Sequence, residues 1–204
     1  MGWLENIIIE NKALENERFE ATDKDSLYFL GPNLTLSNCT VILKVPAKRL
    51  HILGARFIDC TFEVKQELKN HQSWVRASLE GCRFKGRLMG CDFGHWPEYG
   101  SAPEYQHGFI EARLDACRIM GCDPTTLRLP KWPCFTILDP IRRAPELRGV
   151  TWPGLFGRVI VEELHTQPAP TRALTYHAPS VAKRMETTPE ELRAVIEKFD
   201  CVVF

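Results

Sequence analysis

The chain has 204 residues, 44% hydrophobic and 25% charged, enough apolar side chain for one packed core with appendages. Its 26 Lys and Arg balance 26 Asp and Glu, which argues against the basic footprint of a nucleic-acid binder and against a uniformly acidic DNA mimic. No stretch approaches the ~18 apolar residues of a membrane span, and the first ten residues lack the basic segment and the ~7–15-residue apolar run of an export signal. The expectation is a cytoplasmic protein without membrane contact, whose eight cysteines stay reduced.

Residues 1–29 combine the apolar triplet Ile7-Ile8-Ile9, a charged stretch from Glu15 to Asp25, and Leu27-Tyr28-Phe29. They are expected to form a first strand pair that caps one end, since an open end of stacked strands exposes unpaired edges.

From Leu30 onward the chain repeats itself. Four segments align on their cysteines: Leu30–Val41 with Cys39, Ile52–Phe62 with Cys60, Trp74–Phe84 with Cys82, and Phe109–Ile119 with Cys117. The cysteines lie 21, 22 and 35 residues apart, and a partial copy around Cys91 (Leu88–Phe93) sits in the longest gap. Within a copy the order is small, any, apolar, any, any, Cys, any, apolar, as in Ala55, Phe57, Cys60 and Phe62, or Ala77, Leu79, Cys82 and Phe84. A unit of this length cannot bury its apolar side alone, so successive units must stack and share a core. Cysteine suits an inward column because it is compact and apolar when buried. The glycines at 31, 54, 81, 90 and 121 read as bends at the corners.

This spacing of five resembles the pentapeptide-repeat proteins. The resemblance covers residues 33–126 and continues weakly to Leu164. It implies an all-β, right-handed parallel β-helix with the small and the large apolar residues turned inward. The long inserts depart from that family, and a less regular three-sided coil is the alternative to a four-sided one.

Beyond the repeats, Pro130, Pro133, Pro140, Pro145 and Pro153 punctuate the β-like runs Cys134–Leu138, Leu147–Trp152 and Arg158–Glu163, read as irregular final coils. Thr166 to Pro179 reads as an extended proline-rich strap. Thr188-Pro189-Glu190-Glu191 has the spacing of a capping box with proline at the first helical position, and Leu192, Val195, Ile196 and Phe199 follow on one helical face. The domain reading is a β-helix domain over 1–164, with an N-terminal cap and an insert at 94–108, then a strap, C-terminal amphipathic helix and tail over 165–204. The tail either packs on the solenoid or makes a homo-oligomer through the C-terminal helix.

No chemical motif competes with the repeat. Zinc sites pair cysteines two to four residues apart in two knuckles, whereas here Cys117 and Cys122 form a lone close pair. Cys134 and Cys201 are the remaining candidates for a nucleophilic thiol, which would need a base and partial exposure. Asp59, Asp92, Asp115 and Asp123 differ in phase and make no carboxylate ladder of the kind that cleaves sugars. His51, His71, His95, His107, His165 and His177 show no metal spacing. No catalytic residue, metal or cofactor is expected. The insert, which repeats Pro-Glu-Tyr, carries the candidate partner-binding residues Trp96, Glu98, Tyr99, Glu104 and Tyr105. Aromatic groups with a polar handle are typical interface anchors, and the alternative is that they pack over a flank. The expected function is a non-enzymatic protein-binding solenoid, in its concrete form a bacterial immunity or inhibitor protein that neutralises a toxin or other enzyme. The rival expectations are a carbohydrate-active or sugar-binding β-helix and a structural scaffold.

Overall fold

The computed structural model describes residues 5–99 and 105–204. Each of the first three coils lays down three strands: β1 (Glu5–Ile9), β2 (Lys12–Glu15) and β3 (Arg18–Ala21); β4 (Ser26–Leu30), β5 (Leu34–Ser37) and β6 (Thr40–Leu43); β7 (Leu50–Ile52), β8 (Arg56–Ile58) and β9 (Thr61–Lys69). Strands of successive coils pair in parallel, Lys12 with Leu34 and Arg18 with Thr40, an advance of 22 residues. In the fourth coil a single 12-residue strand, β10 (Ser78–Met89), bends across two sides and pairs first with β8 and then with β9. β11 (Asp92–Gly94), β12 (Tyr105–Asp115) and β13 (Cys117–Met120) follow, and the whole is a parallel solenoid of about five turns. Between β10 and β12 the advance grows to 26 residues, as Lys85 faces Glu111, because the chain after Gly94 is lengthened there.

The corners explain why the chain turns where it does. Asn16, Asn38, Asp59 and Gly81 form one column and Asn70, Gly90 and Ala116 another, all with φ between 50 and 62°. This left-handed region is open to glycine and, among other residues, mainly to Asn and Asp. The side chains stack as well: Asn38 Nδ2 donates to Asn16 Oδ1 at 2.6 Å, and Asn33 Nδ2 to Asn11 Oδ1 at 3.0 Å. Gly81 and Gly90 are required twice over, since a Cβ would land 2.1 Å from Asp59 Oδ1 and 2.3 Å from Asn70 Oδ1. The five-residue spacing seen in the sequence belongs to one side of the coil, bounded by Asn33 and Asn38 in one turn and by Gly54 and Asp59 in the next.

A cysteine follows each of five corners, and its thiol points inward. Cys39, Cys60 and Cys82 donate to the carbonyls of Leu14, Leu36 and Phe57 in the coil before. Cys91, Cys117 and Cys134 do the same at Leu68, Leu88 and Leu114. There are thus two cysteine columns. The repeat phase predicts Cys117 over Cys82, whereas it stacks over Cys91; the longer coil hides this shift. Between the columns lie Phe57, Phe62, Phe84, Phe93 and Trp74, all fully buried, with Phe62 and Phe84 stacked at 4.7 Å.

The segments expected to continue as coils do something else. β14 (Cys134–Leu138) is followed by α1 (Pro140–Arg148), and Arg158–Glu163 is helical, inside a π turn (Gly157–Val161) and the 3-10 turn after it. Thr166–Pro179, read as a strap, contains β15 (Thr171–His177), which pairs antiparallel with β13 on one side and β14 on the other. Proline was the misleading signal: Pro140 occupies the first turn of α1, where its missing N–H costs nothing. After β15 come α2 (Ala178–Arg184), α3 (Pro189–Ile196) and β16 (Val202–Val203), which pairs with β14. The Thr188 hydroxyl accepts from the Glu191 N–H and caps α3. These elements share a second core of Phe135, Leu147, Phe156, Val181, Leu192 and Ile196.

At the other end, β1, β2 and β3 are the outer strands of their ladders among the described residues. Ile7, Ile9, Leu14 and Phe19 are only partly buried there. Among the described residues the first coil is the outermost of the stack, and its glutamates flank the edge. No helix among the described residues is long and apolar enough to cross a membrane.

Candidate functional site

The insert leaves the solenoid at Gly94, whose φ of +95° and missing Cβ let the chain pass under the Met120 carbonyl. The His95 N–H donates to that carbonyl at 2.7 Å and fixes the exit. Pro97–Tyr99 then form a 3-10 turn, with Pro97 and Glu98 exposed and Trp96 half-buried. The Trp96 ring lies 6.0 Å from the guanidinium carbon of Arg118. Arg118 is itself clamped by two 2.6 Å hydrogen bonds to the buried Asp92. The carboxylate holds the Arg118 pKa above its ordinary value, so a fixed positive charge faces the indole.

Among the five residues singled out by sequence, Trp96, Glu98 and Tyr99 are brought together at one turn. Glu104 lies outside the described residues, as do the side chains of Tyr99 and Tyr105. The backbone of Tyr105 opens β12 opposite Leu79, on a different side of the coil from β11.

The other candidates for chemistry occupy structural posts. Asp59 is a corner, Asp92 and Asp115 are buried in ion pairs, and Asp123 accepts from the Thr125 N–H at the start of a 3-10 turn. Cys134 and Cys201 are 3% and 5% exposed, which leaves little room for attack. Burial pushes the Cys134 thiol up, and burial with the nearby Asp123 pushes Cys122 up to about 11. Burial also raises Cys117 well above its usual value. Among the described residues no group of three His, Cys, Asp or Glu is placed to hold a metal ion.

A polar seam without any signature in the sequence lies where the solenoid meets the second core. Asp115, 3% exposed, accepts from both terminal nitrogens of Arg184 at 2.6 and 3.1 Å. Beside it the Ser180 hydroxyl sits between Arg113 Nη2 at 2.9 Å and His177 Nδ1 at 2.8 Å. Burial and the charge of Arg113 lower the His177 pKa, so its ring is neutral at neutral pH and can accept from Ser180. Tyr176 is raised by burial. These contacts tie β12 to α2 across the seam. Asp115 and Arg184 are 69 residues apart, and no period in the sequence links them.

Comparison with known proteins gives no match: no family model, no curated protein and no solved structure is similar to this chain.

Proposed function

We propose that this protein is a non-enzymatic, protein-binding solenoid, acting in the cytoplasm as an inhibitor or immunity protein that occupies a toxin or another enzyme. The observation that carries the reading is the insert after Gly94, which breaks the coil and presents a turn with Glu98 outward and Trp96 held against Arg118. The paired strands β11 and β13 beside the turn stand in fixed register, and a pre-organised surface loses little entropy when a partner docks. The proposal keeps the resemblance to right-handed pentapeptide-repeat β-helices as its frame. The five-residue side supports that frame, and the 22-residue advance marks the departure from it.

The test is purification of the tagged chain from its native cell. A single stoichiometric protein partner, lost after Trp96→Ala with Tyr99→Ala, is the expected result. A chain that purifies alone, or that depolymerises a polysaccharide panel, would overturn the reading.

A further inference from the structure

The outward face of β9, β10 and β12 carries charges in rows set by strand register. One row is Glu63, Lys85 and Glu111, of alternating sign. Lys85 Nζ lies 3.1 Å from Glu111 there. Two residues along β10 the rule reverses, because Arg87 faces Arg113. Like charges directly opposite on neighbouring strands are destabilising. On the other flank of Arg87, β9 bulges: Gly86 pairs with Val64 and Leu88 with Leu68, so Lys65-Gln66-Glu67 face one residue.

The bulge and the short 3-10 turn Ala47–Arg49 border a groove of ≈ 680 Å³ lined by Lys48, Lys65, Lys69, Arg87 and Glu67, among others. Glu67 is shared between Lys69 at 3.3 Å and Arg113 at 3.9 Å, and Lys65 turns away to Glu63 at 2.7 Å. Among the described residues Lys48 and Arg87 have no carboxylate partner. The chain as a whole has equal numbers of acids and bases, so the excess of cations here is a matter of placement.

We propose that this groove docks an acidic segment of the protein partner, its carboxylates entering between Lys48 and Arg87. The inference rests on the protein-binding reading above and adds the place and the chemistry of contact. A polypeptide fits better than a nucleic acid. Glu63 and Glu111 close off the basic row on one flank, whereas duplex DNA presents a charge every ~1.7 Å along its axis. Among the described residues the groove lining also includes no aromatic ring on which a base could stack.

A fluorescein-labelled decaglutamate, titrated with the full chain at about 20 mM salt so that screening is weak, tests this by anisotropy. Saturable binding is expected, about tenfold weaker in Lys48→Glu with Arg87→Glu and unchanged in the control Lys183→Glu on α2. The melting temperature of the double variant should equal or exceed that of the native chain, because the opposition of Arg87 and Arg113 is gone. Should charge reversal unfold the protein, Lys48→Gln with Arg87→Gln takes its place.

Equal binding by the double variant overturns the proposal, as does tighter binding of a decathymidylate. If the stoichiometric partner sought above stays with the double variant, the protein-binding reading stands and the groove falls. If decaglutamate binding depends on the groove while no partner co-purifies, the groove stands and that reading falls.

Discussion

The solenoid and the C-terminal α/β region each bury a hydrophobic core, by opposite means. In the solenoid every strand lies on a neighbour about one coil away in sequence, so equivalent positions form columns: asparagines at corners, thiols behind them, phenylalanines between. In the C-terminal region β15 pairs antiparallel with β13 and β14 across gaps of different length, and helices close the core from outside the sheet. A period survives in the first and none in the second. β13 belongs to both, parallel to β11 on one edge and antiparallel to β15 on the other. The stack therefore ends by changing strand direction, and the edge that a further coil would have covered is paired by β15.

If β13 and the buried ion pairs join the two cores into one cooperative unit, damage to either should be felt by both. Phe62→Ala in the solenoid and Phe156→Ala in the C-terminal core each remove a fully buried ring and should each cost about 4 kcal/mol. Urea unfolding should show one transition, shifted in both variants. Two resolved transitions would break the idea of a shared seam.

The second thiol column gives the next largest effect. His71 follows the corner at Asn70 as Cys91 follows Gly90 and Cys117 follows Ala116, so a histidine occupies the cysteine place one coil earlier. It is 2% exposed, and burial, helped by His51, lowers its pKa to about 4. An unfolded histidine titrates near 6.5. Above that pH both states are neutral and the group contributes nothing. Between about pH 6.5 and 4 the unfolded chain takes up a proton that the folded chain refuses, and stability should fall by about 3 kcal/mol, levelling off below. His71→Cys should flatten this slope in denaturation curves measured across the window; an unchanged slope would assign it to other groups.

Smaller still is the clamp beneath Trp96. Asp92→Asn leaves Arg118, with its side chain 23% exposed, short of its partner. The expected loss is about 2 kcal/mol, below the range for fully buried pairs because solvent reaches the guanidinium. The exposed pair of Asp139 with Arg142 serves as control, and Asp139→Asn should stay within about 0.5 kcal/mol. Equal losses in the two variants would show that burial does not govern these pairs.

What could be read from the sequence follows the same division. Ala55, Phe57, Cys60 and Phe62 revealed a stack because one side of the coil holds five residues between corners. The glycines at 31, 54, 81, 90 and 121 were legible as bends, and all have positive φ. A stronger ruler lies at the corners: Asn11 with Asn33 and Asn16 with Asn38 mark the 22-residue coil directly. The repeat phase of Cys117 points to the wrong column because the lengthened fifth coil shifts it. For the C-terminal region no such ruler exists. Prolines at 140 and 145 suggested broken strands, yet they lie within α1, and the partners of β15 are fixed only by tertiary pairing. The groove at Lys48 and Arg87 is not legible in the sequence because its charges come from separate coils and balance out in the composition.

The smallest expected effect tests the corner rule at the point where the two regions meet. Ala116 is the last member of the column begun by Asn70 and Gly90, and its φ is +51°. A side chain with a Cβ is held there at a cost of about 1 kcal/mol, since the left-handed conformation crowds Cβ against the carbonyl. Glycine removes that strain but adds freedom to the unfolded chain, and Ala116 also packs against the second core. The strain term is the larger, so Ala116→Gly should stabilise the protein by about 0.5 kcal/mol, read as a raised urea midpoint at constant slope. A loss instead would mean that the contact of Ala116 with the C-terminal core outweighs the backbone, and that the junction obeys the packing of the second region rather than the corner geometry of the first.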